Sequence, residues 1–334
     1  MGITIKELAQ ISGYSTATIC RVIQNKPNIK ESTRKEIEEL LMKYNYRTSI
    51  WELRQAEMNS KKIMVIIGDL TNRYYVDIFT GMKKSTKETE YSMYIVYSDN
   101  DENQEIEFLE QAIREKYAGV IFMNVRGGGK IRDLLKDNHF PAVFLNRGIK
   151  HAYFNTVTND NYQGGYQATE YLIKAGHKKI GHLAGSYFSA TALERCRGFE
   201  DAMRDNGMVI TNNSIYQGNI DWKSGYDFGK MMIQKNWDFT ALFVSAYQMT
   251  EGLMDCFKEY GVRIPNDVSI VSFDETPSMG RSGITTICAE PEKMGETALR
   301  LLRKQMAGGE IDSERIHLEP VLKVRESVKV LKRE

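Results

Sequence analysis

The chain has 334 residues, 42% of them hydrophobic and 27% charged, the make-up of a water-soluble protein long enough for two or three compact units. The start, MGITIKELAQ, lacks the apolar stretch of a secretion signal. No later run approaches the roughly 18 uncharged apolar residues of a membrane span, so the expected location is the cytoplasm. Cys20, Cys196, Cys256 and Cys288 lie too far apart for a structural zinc site or a dithiol motif. The formal net charge is only +1, so any attraction for nucleic acid must come from local placement of charge.

From the amino terminus, TIKELAQISGYSTATICRV (4–22) has the layout of a helix-turn-helix. Ala9 is small where two helices must cross, Gly13 supplies the tight turn, and Ser15 caps the second helix. Leu8, Ile11, Ile19 and Val22 are expected to share one interior with Ile37, Leu40 and Leu41 of a third helix, leaving Thr16, Ala17 and Cys20 outside. Thr16 can reach a phosphate or a base edge, Ala17 a thymine methyl, and Arg21 a guanine or a phosphate. Thr4, Ser15, Thr18, Asn25, Thr33, Tyr46, Leu53 and Arg54 complete the set of candidate DNA contacts.

Beyond a boundary near residue 60 the pattern changes to apolar runs alternating with amphipathic stretches. IMVIIGD (63–69), SMYIVYS (92–98), GVIFMNV (119–125) and PAVFLNR (141–147) predict strands of a parallel, doubly wound sheet. After an expected loop around NDNYQGG the rhythm restarts with KIGHLAG (179–185), ALFVS (241–245), VSIVSFD (268–274) and ITTICA (284–289), which predicts a second α/β lobe. Parallel sheets place ligands at the carboxyl ends of their strands, so the cleft between the lobes is the expected small-molecule site.

The chain resembles the lactose-repressor (LacI/GalR) family along nearly its whole length. The resemblance is carried by TIKELAQISGYSTATICRVIQN, STRKEIEELLMKYNYR, LTNRYYVDIFTGM, NDNYQGGYQATEYLIKAGHKKIGHLAG, ERCRGFEDAM, IPNDVSIVSFDE and the terminal VLKVRES. It implies a DNA-binding repressor with a core like that of periplasmic sugar-binding proteins and a DNA affinity that changes when an effector enters the cleft. The expected division is 1–46 for the helix-turn-helix, 47–60 for a hinge, 61–160 plus about 290–320 for one lobe, and 161–289 plus about 321–330 for the other. The expected partners are a near-palindromic DNA operator, a sugar or sugar derivative, and a second copy of the chain.

Two places depart from the family pattern. Where relatives carry an Ala-Arg-x-Leu hinge helix whose leucine wedges into the minor groove, this chain has Glu52-Leu53-Arg54-Gln55, with Thr48 and Ser49 in place of Pro-Asn. After ALFVS, where sugar-binding relatives often have Asn-Asp, it has Ala246-Tyr247, which argues against a simple hexose held in the usual manner. Arg195 stands where the family often places a ligand-contacting arginine, and Asp274 at a strand's carboxyl end is its natural partner. Tyr74, Tyr75, Asp160, Trp222 and Tyr247 are the other candidate effector contacts.

A small-molecule-binding protein or an enzyme could use the same two-lobed fold. Yet the five histidines, His139, His151, His177, His182 and His317, form no metal or catalytic spacing. The run Arg126-Gly127-Gly128-Gly129-Lys130 lacks both the first glycine and the Ser/Thr of a phosphate loop. Neither an enzymatic activity nor a metal or organic cofactor is expected.

Overall fold

The computed structural model describes residues 3–23, 26, 29–44, 46, 61–68, 74–87, 89–125, 128–146, 154–235, 239–307 and 313–331. Asn25, Leu53 and Arg54, and with them the hinge departures at Thr48, Ser49 and Glu52 to Gln55, lie outside these residues.

Three helices, α1 (Ile5–Ser12), α2 (Thr16–Ile23) and α3 (Glu31–Lys43), form the amino-terminal unit. Leu8, Ile19, Val22, Ile23, Ile37 and Leu41 make its core. Helix α1 starts with a capping box: the Thr4 hydroxyl accepts from the Glu7 N–H, and the Glu7 carboxylate accepts from the Thr4 N–H at 2.7 Å. It ends at Gly13, whose φ of 73° places it in the left-handed region that a residue with a β-carbon rarely adopts. Two expectations are corrected. Ile11 is 48% exposed, because the turn at Gly13 carries the chain away before that position can face α3. Leu40 is only half-buried, and so is Cys20, which does not face fully outward.

The first lobe is built on a fully parallel sheet. Its strands are β1 (Lys62–Ile67), β2 (Ser92–Tyr97), β3 (Gly119–Met123), β4 (Ala142–Leu145), β5 (Asn155–Asn159) and β11 (Arg315–Leu318), in the order β11-β5-β4-β3-β1-β2. Helices α4 (Tyr74–Thr86) and α12 (Pro291–Met306) cover one face, and α5 (Glu102–Arg114) and α6 (Gly129–Asp137) the other. Both faces of the central strands are therefore apolar, which is why β1, β3 and β4 read as unbroken hydrophobic runs.

The second lobe repeats the plan with β6 (Ile180–Ala184), β7 (Ile215–Gln217), β8 (Ala241–Val244), β9 (Ser269–Phe273), β10 (Thr285–Cys288) and β12 (Val321–Lys323), in the order β12-β10-β9-β8-β6-β7. Strand β12 runs antiparallel to β10, so this sheet is not purely parallel as expected. Helices α7 (Asn161–Lys174) and α8 (Ala190–Asp205) pack on one face, α9 (Trp222–Gln234) and α10 (Tyr247–Glu259) on the other. The short α11 (Pro277–Arg281) follows β9. The chain passes between the lobes three times, after β5, after β10 and after β11.

The stretch NDNYQGG is not a loop. Asn159 ends β5, Asp160 caps α7, and the two glycines lie inside that helix. Their place there is explained by packing: a β-carbon on Gly165 would stand 2.2 Å from the backbone oxygen of Arg195. Helices α7 and α8 thus meet backbone to backbone, and this close approach fixes where Arg195 emerges.

Candidate functional site

The face expected to meet DNA is formed by α2. Thr16, Ala17 and Arg21 are exposed along it. The hydroxyls of Thr4 and Ser15 are engaged locally: Thr4 in its capping box, Ser15 accepting from the Thr18 N–H at 3.1 Å and sharing a 2.8 Å hydrogen bond with the Thr18 hydroxyl. These three residues shape the helix ends. Thr33 is half-buried on α3 beside Tyr14, whose hydroxyl donates to Glu36 at 2.7 Å. Tyr46 packs against the three-helix core, where burial raises its phenol above the ordinary range.

The second site lies where the carboxyl ends of β8 and β9 meet the start of α7 and the flank of α8. Arg195 is 6% exposed there. Its Nε donates to the Asn161 side-chain oxygen at 2.9 Å, its Nη1 donates to the carbonyl of Ser245, and its Nη2 lies 3.7 Å from the Asp274 carboxylate. The guanidinium plane covers the Phe273 ring, with Cζ 3.5 Å from the centroid.

Asp274 holds a positive φ of 60° directly after β9, so its side chain leaves the sheet toward this cluster. One carboxylate oxygen, Oδ1, is buried and has no hydrogen-bond partner among the described residues. Burial raises the Asp274 carboxyl above its ordinary range, an effect the Arg195 charge only partly opposes.

From the first lobe, Tyr74 brings its hydroxyl to the Asn159 side chain, 3.2 Å from the amide nitrogen. Its phenol is raised well above the ordinary range, first by burial and then by the Asp274 charge, which places the ring in the field of the second lobe's pair. Arg195, Asp274 and Tyr74 are therefore brought together. Below them His182 is stacked between Phe243 and Phe199, at centroid distances of 4.5 and 4.9 Å. Its Nδ1 lies 3.0 Å from the Phe243 carbonyl oxygen and its Nε2 3.4 Å from the Ser245 hydroxyl, while burial pushes its pKa down to about 4. A neutral ring thus braces Ser245, the residue whose carbonyl holds Arg195.

The remaining candidates sit elsewhere. Tyr75 is buried in the first lobe's core. Asp160 accepts from the Gln163 N–H at 2.9 Å as the cap of α7. Tyr247, expected to give the cleft an aromatic wall, packs instead with Met279 and Ile284, because α10 turns the ring toward α11. Trp222 is exposed on α9, stacked on Tyr226, with its indole N–H donating to Asp255 of α10 at 2.8 Å. His177 is a satisfied core histidine between the Thr240 hydroxyl and the Lys329 carbonyl. Sequence reasoning missed Asn159, Asn161, Ser245 and Phe273. Of these, the two asparagines alone carried a signal, being amides on either side of the passage between lobes.

Comparison with known proteins covers both parts of the chain. Residues 4–49 match the model for bacterial regulatory proteins of the lacI family, and residues 169–328 match a periplasmic binding protein-like domain. The chain thus carries a lacI-family helix-turn-helix domain followed by a periplasmic-binding-protein-like domain. The chain is 27% identical over 332 residues to catabolite control protein A of Priestia megaterium, covering 98% of this chain and 100% of that one. It is also 27% identical to the transcriptional repressor PurR of Mannheimia succiniciproducens, with 98% of each covered. The structure of the transcription regulator CcpA of Lactococcus lactis superposes with a TM-score of 0.73 at 25% identity, over 81% of this chain and 100% of that one. The lac repressor dimer bound to operator and anti-inducer shares the fold over 98% of this chain and 100% of that one, with a TM-score of 0.72 at 21% identity. The protein is accordingly a DNA-binding transcription regulator with an effector-binding core, and these relatives are regulators rather than enzymes. No described helix is long and apolar enough to cross a membrane, and no cluster of three metal-ligating side chains occurs among the described residues.

Proposed function

We propose that this regulator is a cytoplasmic homodimeric repressor that releases or grips a near-palindromic operator when a hydroxyl-rich, sugar-like effector enters the cleft between its lobes. The observation that carries the effector class is the Arg195–Asp274 pair. The guanidinium is largely engaged by Asn161, Ser245 and Asp274, whereas Asp274 Oδ1 is a buried acceptor awaiting a donor. A hydroxyl group supplies that donor.

Dimerisation is supported by the edge strand β2, where Ile95 and Tyr97 are exposed on one face and Tyr94 on the other. Ribose is bound by a LacI-family regulator of Enterococcus faecium and cellobiose by the regulator CelR, both of which share this fold. Residues 1–46, the 47–60 hinge, and lobes of 61–160 with about 290–320 and 161–289 with about 321–330 form the working division of the chain. On DNA, Thr16, Ala17 and Arg21 read the groove, with Asn25, Leu53 and Arg54 as further contacts.

A thermal-shift screen against pentoses, hexoses, disaccharides, nucleosides and sugar phosphates tests the effector class. The expected result is a concentration-dependent rise in Tm with a neutral sugar that Asp274→Asn abolishes. Stabilisation by a purine or a sugar phosphate that Asp274→Asn leaves intact overturns it.

A further inference from the structure

The first passage between the lobes runs from the end of β5 to the start of α7, and it is flanked by two asparagines, Asn159 and Asn161, that are 2% and 3% exposed. Asn159 belongs to the first sheet, and its side chain is hydrogen-bonded to the Tyr74 hydroxyl. Asn161 opens a helix of the second lobe. Its amide nitrogen donates to the backbone carbonyl of Asn159 at 3.1 Å, and its amide oxygen accepts from Arg195 Nε at 2.9 Å. Arg195 continues the path to the Ser245 carbonyl and to Asp274.

A buried polar path therefore runs from α4 of one lobe, through the passage, to β9 of the other. Capping does not explain it, because the cap of α7 is Asp160. Hinge rotation is absorbed by backbone torsions at a few connecting residues, here 159–161. The bond from Asn161 to the Asn159 carbonyl spans those torsions, so turning one lobe against the other breaks it or pulls Arg195 with it. Either event leaves buried amide or guanidinium groups short of partners, which is costly where water cannot replace them.

We infer that Asn159 and Asn161 set the angle between the lobes by tying Tyr74 of one to Arg195 of the other. They are positioning residues: effector contacts at either end of the path are converted into a change at the hinge. This rests on the reading of the cleft as the effector site, but its test needs no effector.

Spin labels on Asp133→Cys of α6 and Lys258→Cys of α10, both exposed, report the distance between lobes in the full chain. Cys20 and Cys196, the two half-buried thiols, are replaced by serine, and labelled chain is diluted into excess unlabelled chain so that pairs within one chain are read. Tyr74→Phe and Asn161→Leu are each expected to broaden the distance distribution and shift its maximum, with helix content unchanged by circular dichroism. The double variant is expected to be no broader than Asn161→Leu alone, since both interrupt one path. Distributions that superpose on the parent, or single effects that simply add, overturn the inference. If Asn161→Leu fails to fold, Tyr74→Phe, which removes one oxygen, decides the matter by itself. A sugar panel that finds no ligand removes the effector reading and leaves this distance measurement standing.

Discussion

The helix proposed to read DNA and the inter-lobe cleft use similar polar side chains in opposite ways. On α2 Thr16 and Arg21 stand in solvent on a small three-helix unit, and the nearby hydroxyls of Thr4, Ser15 and Thr18 serve the helix ends. In the cleft Arg195, Asp274, Asn159 and Asn161 are buried or nearly so, and their partners are one another, the Tyr74 hydroxyl and the Ser245 carbonyl. Where the partner is water, a side chain can be removed with little effect on folding and its loss is felt when DNA arrives. Where the partner is protein, recognition and stability are held by the same atoms.

The largest expected consequence is for Arg195→Ala, which leaves Asp274 buried without its counter-charge and should destabilise the core by about 3 kcal/mol. Urea unfolding checks this, and a loss below about 1 kcal/mol would erase the contrast between the two sites.

Next comes His182 beneath the cleft. Its folded pKa of about 4 lies below the ordinary 6.5, so the unfolded chain takes up a proton that the native one refuses. Stability contributed by the neutral ring is complete above pH 6.5 and is lost as pH falls toward 4. Between pH 6.5 and 5.5 the loss is about 1 kcal/mol, and a His182→Phe variant that keeps the stack should show a flatter profile there. An unchanged slope in that variant assigns the pH dependence elsewhere.

For the amino-terminal unit, Thr4→Ala should cost about 1 kcal/mol of stability by removing the cap, with DNA binding falling only as far as folding does. Arg21→Ala should do the reverse, holding Tm within a degree or so while lowering the slope of log affinity against log salt by about one. Titrations at several salt concentrations separate the two; an unaltered slope removes Arg21 from the phosphate contacts.

The same contrast explains what could be read from the sequence. The helix-turn-helix was legible because its cap, its turn glycine and its apolar face fall within twenty successive residues and depend on local rules. The central strands were legible as apolar runs buried on both sides. Strand β5, NTVTN, was not, because it borders β11 near the passage between lobes and carries polar residues in buried positions. Arg195 and Asp274 were paired by residue type and place, and the two side chains do meet. Their other partners were not legible, since Asn161, Ser245 and Phe273 come together only through the crossing of α7 and α8 and the register of β8 with β9. Tyr247 misled for a related reason: its position at the end of a strand was right for a cleft residue, but the direction of a side chain at a helix start depends on the neighbouring element.

The late strands β11 and β12 have a consequence for how the molecule comes into being. Strand β11 closes the edge of the first sheet beside β5, and β12, three residues further on, closes the edge of the second beside β10. During synthesis neither lobe can be completed before the other: both sheets wait, with one edge open, for the same short stretch of chain to leave the ribosome. A stop introduced just before residue 313 would therefore remove an edge from two lobes at once, and the nascent chain carries an open edge beside β5 from residue 159 onward and a second, beside β10, only from residue 288, both exposed to other chains until the last strands arrive.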